Sequence, residues 1–146
     1  MERLKMMLHD GGYSCVVENF DKIFTFSQRG VSDLYDMVRN KSGFLKDARI
    51  ADKVIGKGAA ALMVIGEVKE VYADIISLSA LVFLREAGVE TDFGRIVPFI
   101  QNRDKTGWCP LEKICYEEGS AENILLLIDE FVNNMKKPKI LEISEL

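Results

Sequence analysis

A chain of 146 residues, 48% hydrophobic and 29% charged, is long enough for one domain with a full core, and its composition excludes the disordered and fibrous classes. Its 19 basic and 23 acidic residues leave a net charge of −4 with the signs interspersed, so nucleic acid is not an expected partner, because binding a phosphate backbone needs a basic surface. Cys15, Cys109 and Cys115 form no CxxC pair and His9 is the only histidine, which argues against a disulfide scaffold and a clustered zinc site. The opening MERLKMMLHD lacks a signal-peptide core, and no apolar run approaches the roughly 18 residues of a membrane span. The expectation is a cytoplasmic protein in a reducing compartment, with no membrane partner.

In chain order, Leu4, Met7 and Leu8 recur at helical spacing and Asp10-Gly11-Gly12 ends that first helix. SCVVENF and KIFTFSQ are β-branched and aromatic runs joined through Asn19-Phe20-Asp21-Lys22, which predicts an antiparallel hairpin. From Val31 the period lengthens: Val31, Leu34, Tyr35 and Val38 predict a helix that ends near Ser42-Gly43, with Ser32 and Asp33 in its first turn. ARIAD (48–52) reads as a short strand running into the helix VIGKGAAALMVIG, which Gly66 closes. VKEVYADII (68–76) alternates as a strand, with Val68, Val71, Ala73 and Ile75 available to the interior.

SLSALVFLREAGV follows as a helix with Gly88 after its last turn, and TDFGRIVPFI (91–100) as a last strand broken by Pro98. NRDKTGWCPLEKICYEEG is a loop leading to a helix with Pro110 in its first turn. The final helix, ENILLLIDEFVNNMKK, carries Ile124, Leu127, Ile128 and Phe131 on one stripe, and the tail KPKILEISEL is either loose or an arm for a partner. Alternating helices and strands after an opening hairpin predict a three-layer α/β/α sandwich with a mixed sheet, filling 1–146 as a single domain with residues 138–146 as the tail.

In such sheets ligands sit beyond the carboxyl ends of the strands, where helix N-termini point. The stretch Asp52 to Gly58 falls there. A helix mouth exposes unpaired N–H groups and about half a positive charge, so Gly56 and Gly58 would admit a phosphate to the backbone while Lys53 and Lys57 flank it. The spacing is not a Walker A loop. The other reading is packing: Gly56, Gly58 and the alanines that follow let a helix lie close to its neighbours, the lysines are solvated, and Asp52 is an N-cap. Both readings stand open, and they are compatible.

A second polar cluster is QNRDKTGWCPLEK (101–113). Asn102, Arg103 and Asp104 could bind a ligand's polar edge and Trp108 could stack on a planar ring, whereas a plain loop would use Trp108 as an anchor and Arg103 with Asp104 as a surface pair. Cys109, just before Pro110, has a helix dipole to favour its thiolate, but with only a distant His9 a Cys-His nucleophile is poorly supported.

The string from ADKVIGKGAA to NRDKTGWCPLEK resembles DUF1893, a family of small bacterial and archaeal proteins of unknown function, over about Val16 to Ile114. The resemblance implies a cytidine deaminase-like fold. Zinc deaminases hold their metal with His or Cys at one helix start and two Cys in a Pro-Cys-x-x-Cys turn at the next, with a nearby Glu moving protons. This chain has SQRGVSDLY and DKVIGKGA at those two places, and Cys109 and Cys115, on a later element, do not restore the set. No zinc or other cofactor is expected, and deaminase activity should be lost. The resulting expectation is a domain that binds a nucleotide or ADP-ribose-type ligand at Asp52, Lys53, Gly56, Lys57, Gly58, Asn102, Arg103, Asp104, Trp108 and Cys109. The alternatives are a homodimeric scaffold that buries ILLLIDEFV and ILEISEL between subunits, and a metal-free enzyme using Lys57 or Cys109.

Overall fold

The structure is a computed structural model that describes residues 1–28 and 30–136; the tail 137–146, and with it ILEISEL, lies outside the described residues. The elements run α1 (Glu2–Asp10), β1 (Cys15–Asn19), β2 (Lys22–Phe26), α2 (Ser32–Asn40), β3 (Arg49–Ile55), α3 (Lys57–Ile65), β4 (Glu70–Ser77), α4 (Leu78–Glu86), β5 (Glu90–Val97), α5 (Pro110–Cys115) and α6 (Ala121–Lys136). One five-stranded sheet has the order β2-β1-β3-β4-β5, antiparallel at β1–β2 and β1–β3 and parallel at β3–β4 and β4–β5. Both parallel crossovers move the chain in the same direction across the sheet. Because such crossovers share one hand, α3 and α4 fall on the same face.

That face carries the main core, where Leu34 and Met37 of α2, nearly all of α3, Leu84 of α4, Leu111 and Cys115 of α5, and Ile124 and Ile128 of α6 close over Ile50, Val71 and Ala73. Among the described residues the opposite face is covered by α1 alone, whose Leu4 and Leu8 pack on Val16, Ala51 and Tyr72. The chain is thus a three-layer α/β/α arrangement with very unequal outer layers. α3, almost wholly apolar, lies between the sheet and the outer helices, which is why its start is roofed by other parts of the chain rather than open to solvent.

The hairpin turns through Phe20 and Asp21, both at positive φ (54° and 59°). Asn19 holds the turn by accepting the Phe20 N–H on Oδ1 and donating to the carbonyls of Phe44 and Lys46. In β4 the expected alternation does not run through. Val71 and Ala73 face the main core, yet Ile76 is the next residue to join them and Ile75 is only half-buried. The same slip separates Ile50 from Ile55 in β3. At this level β5 has Gly94, and a Cβ there would stand 2.9 Å from the Asp74 carbonyl oxygen, so only glycine lets the two strands approach.

Candidate functional site at the mouth of the third helix

β-Branched Val54 and Ile55 continue β3 beyond Asp52, so the strand ends at Ile55 and the helix begins only at Lys57. This corrects the expectation of a short strand followed by a helix from Val54. Lys53 is a strand residue whose N–H bonds the Ser14 carbonyl at 3.0 Å, and it does not share a helix flank with Lys57. Gly56 is the extended joint between the two elements (φ −98°, ψ −179°).

The helix mouth is occupied by the protein's own anion. Glu112, on the first turn of α5, is 2% exposed and accepts the Lys57 N–H on Oε1 at 2.9 Å and the Ile100 N–H on Oε2 at 2.8 Å. The Ser77 hydroxyl, at the start of α4, stands 3.4 Å from Oε1 and also accepts the Ala80 N–H. One carboxylate therefore caps the α3 mouth, where unpaired N–H groups favour a negative charge, and lies beside the Ser77 hydroxyl that caps α4. The two glycines serve this closure. A Cβ on Gly56 would stand 3.2 Å from Glu112 Oε2, and one on Gly58 would meet Leu111 Cδ2 at 2.9 Å. The small residues of ADKVIGKGAA thus pack against α5, and the mouth is closed where an open phosphate cradle was expected. Nothing local marked Glu112, which lies 55 positions from the helix that it caps.

Lys57 is not solvated either. It is 8% exposed, and its ammonium donates to the Tyr116 carbonyl at 2.6 Å and lies 6.0 Å from the Phe83 ring centre. Among the described residues no carboxylate lies within ion-pair distance of this nitrogen. A buried ammonium with three protons and one carbonyl acceptor is incompletely compensated.

The loop before α5 is folded on itself. Asn102 Oδ1 accepts the Thr106 N–H at 3.0 Å, Nδ2 donates to the Thr106 hydroxyl, and the Asn102 N–H bonds the Gly107 carbonyl. Its polar groups are used in the turn. Arg103 and Asp104 are exposed and take part in no ion pair among the described residues. Trp108 already stacks on Phe99, with ring centres 4.4 Å apart, and meets Tyr116 edge-on at 4.8 Å. With Lys113, Ile114, Tyr116 and Glu117 it lines an open groove of about 400 Å³ on the outer side of α5. Cys109 is half-buried ahead of Pro110 and makes no side-chain capping bond. Cys115, at the far end of that helix, is buried, and its thiol is pushed up to about 11 by burial, with Glu112 adding to the effect.

Asp52 is a strand residue in β3, not an N-cap. It faces Cys15 across the β1–β3 ladder, and its Oδ1 accepts the Val54 N–H at 3.2 Å. Burial pushes its carboxyl up to about 7, against the pull of the Val54 and Lys53 N–H groups and the Cys15 thiol. The site residues expected together therefore separate: Gly56, Lys57 and Gly58 under α5, Asp52 and Lys53 in β3, Asn102 to Asp104 in the exposed turn, and Trp108 and Cys109 just ahead of α5.

His9 lies on the other face of the sheet from Cys109. Its Nε2 is 2.7 Å from Asp74 Oδ1, which also accepts the Tyr72 hydroxyl at 2.8 Å, so a Cys-His nucleophile does not assemble. Among the described residues no three His, Cys, Asp or Glu side chains are grouped to hold a metal, and no helix is long and apolar enough to cross a membrane.

Comparison with known proteins agrees with this architecture. A crystal structure of a DUF1893 family protein (TM1506) from Thermotoga maritima superposes with a TM-score of 0.81 at 22% identity, covering 88% of this chain and 87% of that one. At that identity the likeness speaks for the fold. No curated protein matches the chain. The sequence profile described as "Domain of unknown function (DUF1893)" matches residues 3–132, nearly the whole of the described structure, and the chain belongs to that family.

Proposed function

We propose that this domain binds a small phosphate-bearing ligand of the nucleotide or ADP-ribose type where α3 and α4 begin, without a metal and without deaminase chemistry. The observation that carries the reading is Lys57: a buried ammonium on the first turn of α3 with a single carbonyl as acceptor. A phosphate oxygen would supply the acceptors it lacks. The groove lined by Trp108 and Tyr116 adjoins the Tyr116 carbonyl and offers an aromatic wall for a base. Titration calorimetry with ADP-ribose, NAD and ADP tests the reading. A Kd in the micromolar to low millimolar range is expected, weakened at least tenfold by Lys57→Met, which keeps the buried stem. No heat at millimolar ligand refutes it.

A homodimer is the second reading, and among the described residues α4 favours it. Leu78 and Val82 sit one turn apart and are both exposed, as is Ile96 on the neighbouring β5, whereas Ile124 and Ile128 of ILLLIDEFV are spent inside the subunit. Light scattering with Val82→Glu tests it. A mass that does not change, or that is already one chain in the wild type, removes α4 from consideration.

A further inference from the structure

We propose that the free edge of β2 is a contact between two copies of this chain, which pair their β2 strands antiparallel about a two-fold axis at Phe24 and join their sheets into one. The pairing rests on the homodimer reading and gives the two copies a contact distinct from α4. The sheet has two outer strands, β2 and β5, and their edges differ. In β5 the Glu90 N–H bonds the Lys69 carbonyl, so Glu90 and Asp92 turn their main-chain groups toward β4 while Thr91 and Phe93 turn theirs outward. One outward group of each is already taken by a side chain. The Arg85 guanidinium donates to the Thr91 carbonyl at 3.3 Å, and Asp92 Oδ1 accepts the Phe93 N–H at 2.9 Å. Charged side chains placed in this way keep an edge from adding a strand.

In β2 the edge is open. The Lys53 N–H bonds the Ser14 carbonyl, which turns Ser14, Val16 and Glu18 toward β3 and leaves Cys15, Val17 and Asn19 to bond Phe26, Phe24 and Lys22. Ile23 and Thr25 therefore present their N–H and C=O groups to the open side, and among the described residues no side chain bonds them. Pairing about Phe24 is the register that uses both: Ile23 meets the partner's Thr25, Thr25 meets the partner's Ile23, and Phe24 meets the partner's Phe24. The same register matches charge. Phe24 and Phe26 pack on the main core, so Lys22 shares their face and falls opposite the partner's Phe26. Phe26 pairs with Cys15 in the hairpin, and the Cys15 thiol is pushed up by burial first and then by the Asp52 and Asp33 carboxylates, which puts Asp33 close to this end of the edge. Lys22 is exposed, Asp33 is half-buried, and neither forms an ion pair among the described residues. The two-fold axis turns each Lys22 toward the partner's Asp33 and sets no like charge opposite it.

The experiment is light scattering over a concentration series on the full chain as wild type, Thr25→Pro and Lys22→Glu, with amide exchange of the wild type followed by NMR. Thr25 turns its N–H away from β1, so proline removes an edge donor and spares the hairpin ladder. The expected result is a two-chain mass for the wild type at micromolar concentration, a one-chain mass for Thr25→Pro, and a dimer Kd at least tenfold weaker for Lys22→Glu. The Ile23 and Thr25 amides should exchange slowly in the dimer. A two-chain mass that Thr25→Pro leaves unchanged, with those two amides exchanging fast, would overturn the β2 contact and leave the α4 reading standing. A one-chain mass for the wild type throughout the series would overturn both. Should Thr25→Pro fail to fold, the other two measurements decide: a dimer Kd unmoved by Lys22→Glu and fast exchange at Ile23 and Thr25 refute the β2 contact.

Discussion

Replacing Asp52 by Asn should make the protein more stable, and only where the carboxyl is ionised. Burial pushes this carboxyl from an ordinary 3.8 up to about 7, so folding favours its protonated form. A group whose folded pKa is raised contributes stability that is full below its unfolded pKa and is lost as pH rises through the folded one. Three units at about 1.4 kcal/mol each set a ceiling of about 4 kcal/mol at pH 8. Asp52 keeps some contact with solvent, which lowers the expected effect to about 2 kcal/mol. Asparagine can keep the bond from the Val54 N–H while carrying no charge. Urea denaturation followed by circular dichroism, at one-unit steps from pH 4 to pH 8, should show the variant and the wild type nearly level at pH 4, the variant gaining between pH 4 and pH 7, and the difference levelling off above that. A difference that is flat across this range, or that favours the wild type at pH 8, would show that the carboxyl is not desolvated in the folded protein.

Gly58→Ala places a methyl group 2.9 Å from Leu111 Cδ2; the overpacking, about 1 to 3 kcal/mol, should exceed the gain of about 1 kcal/mol in helix propensity, and a melting temperature that rises would refute the close seating of α5. Of the three thiols only Cys109 is part-exposed, so a thiol reagent at pH 8 should label one cysteine in the folded protein and three in denaturant; rapid labelling of all three would contradict the burial of Cys15 and Cys115. Asp129 accepts from both the Tyr35 hydroxyl and the Arg39 guanidinium and so ties α6 to α2. Asp129→Ala should cost about 1 kcal/mol, a modest value because Arg39 is partly exposed, and thermal melts that coincide would remove this tie from the account.

At the α3 mouth the chain sets a glutamate from α5 against main-chain N–H groups. A buried carboxylate on main-chain N–H groups satisfies those groups without a metal. It also explains why the density of polar residues in NRDKTGWCPLEK exceeds what a connector needs: Asn102 and Thr106 shape the turn that brings α5, and with it Glu112, over the mouth.

What the sequence determined by itself is what depends on near neighbours. The change of period at Val31, Gly66 and Gly88 after their helices, and Pro110 in the first turn of α5 marked the elements, because helix and strand formation turn on spacing and on residues that stop a backbone pattern. Even there β3 ran to Ile55, since a β-branched pair continues a strand that the glycine beyond it finally ends. The tertiary structure alone decided the site. Lys57 reads as a solvated first-turn lysine until α5 roofs it, Glu112 reads as one more surface acid until it is set against an amide 55 positions away, and Ile75 reads as core where the structure buries Ile76 instead. Desolvation, which raises the Asp52 carboxyl, is a property of what covers a side chain, and the residues that do the covering are remote along the chain.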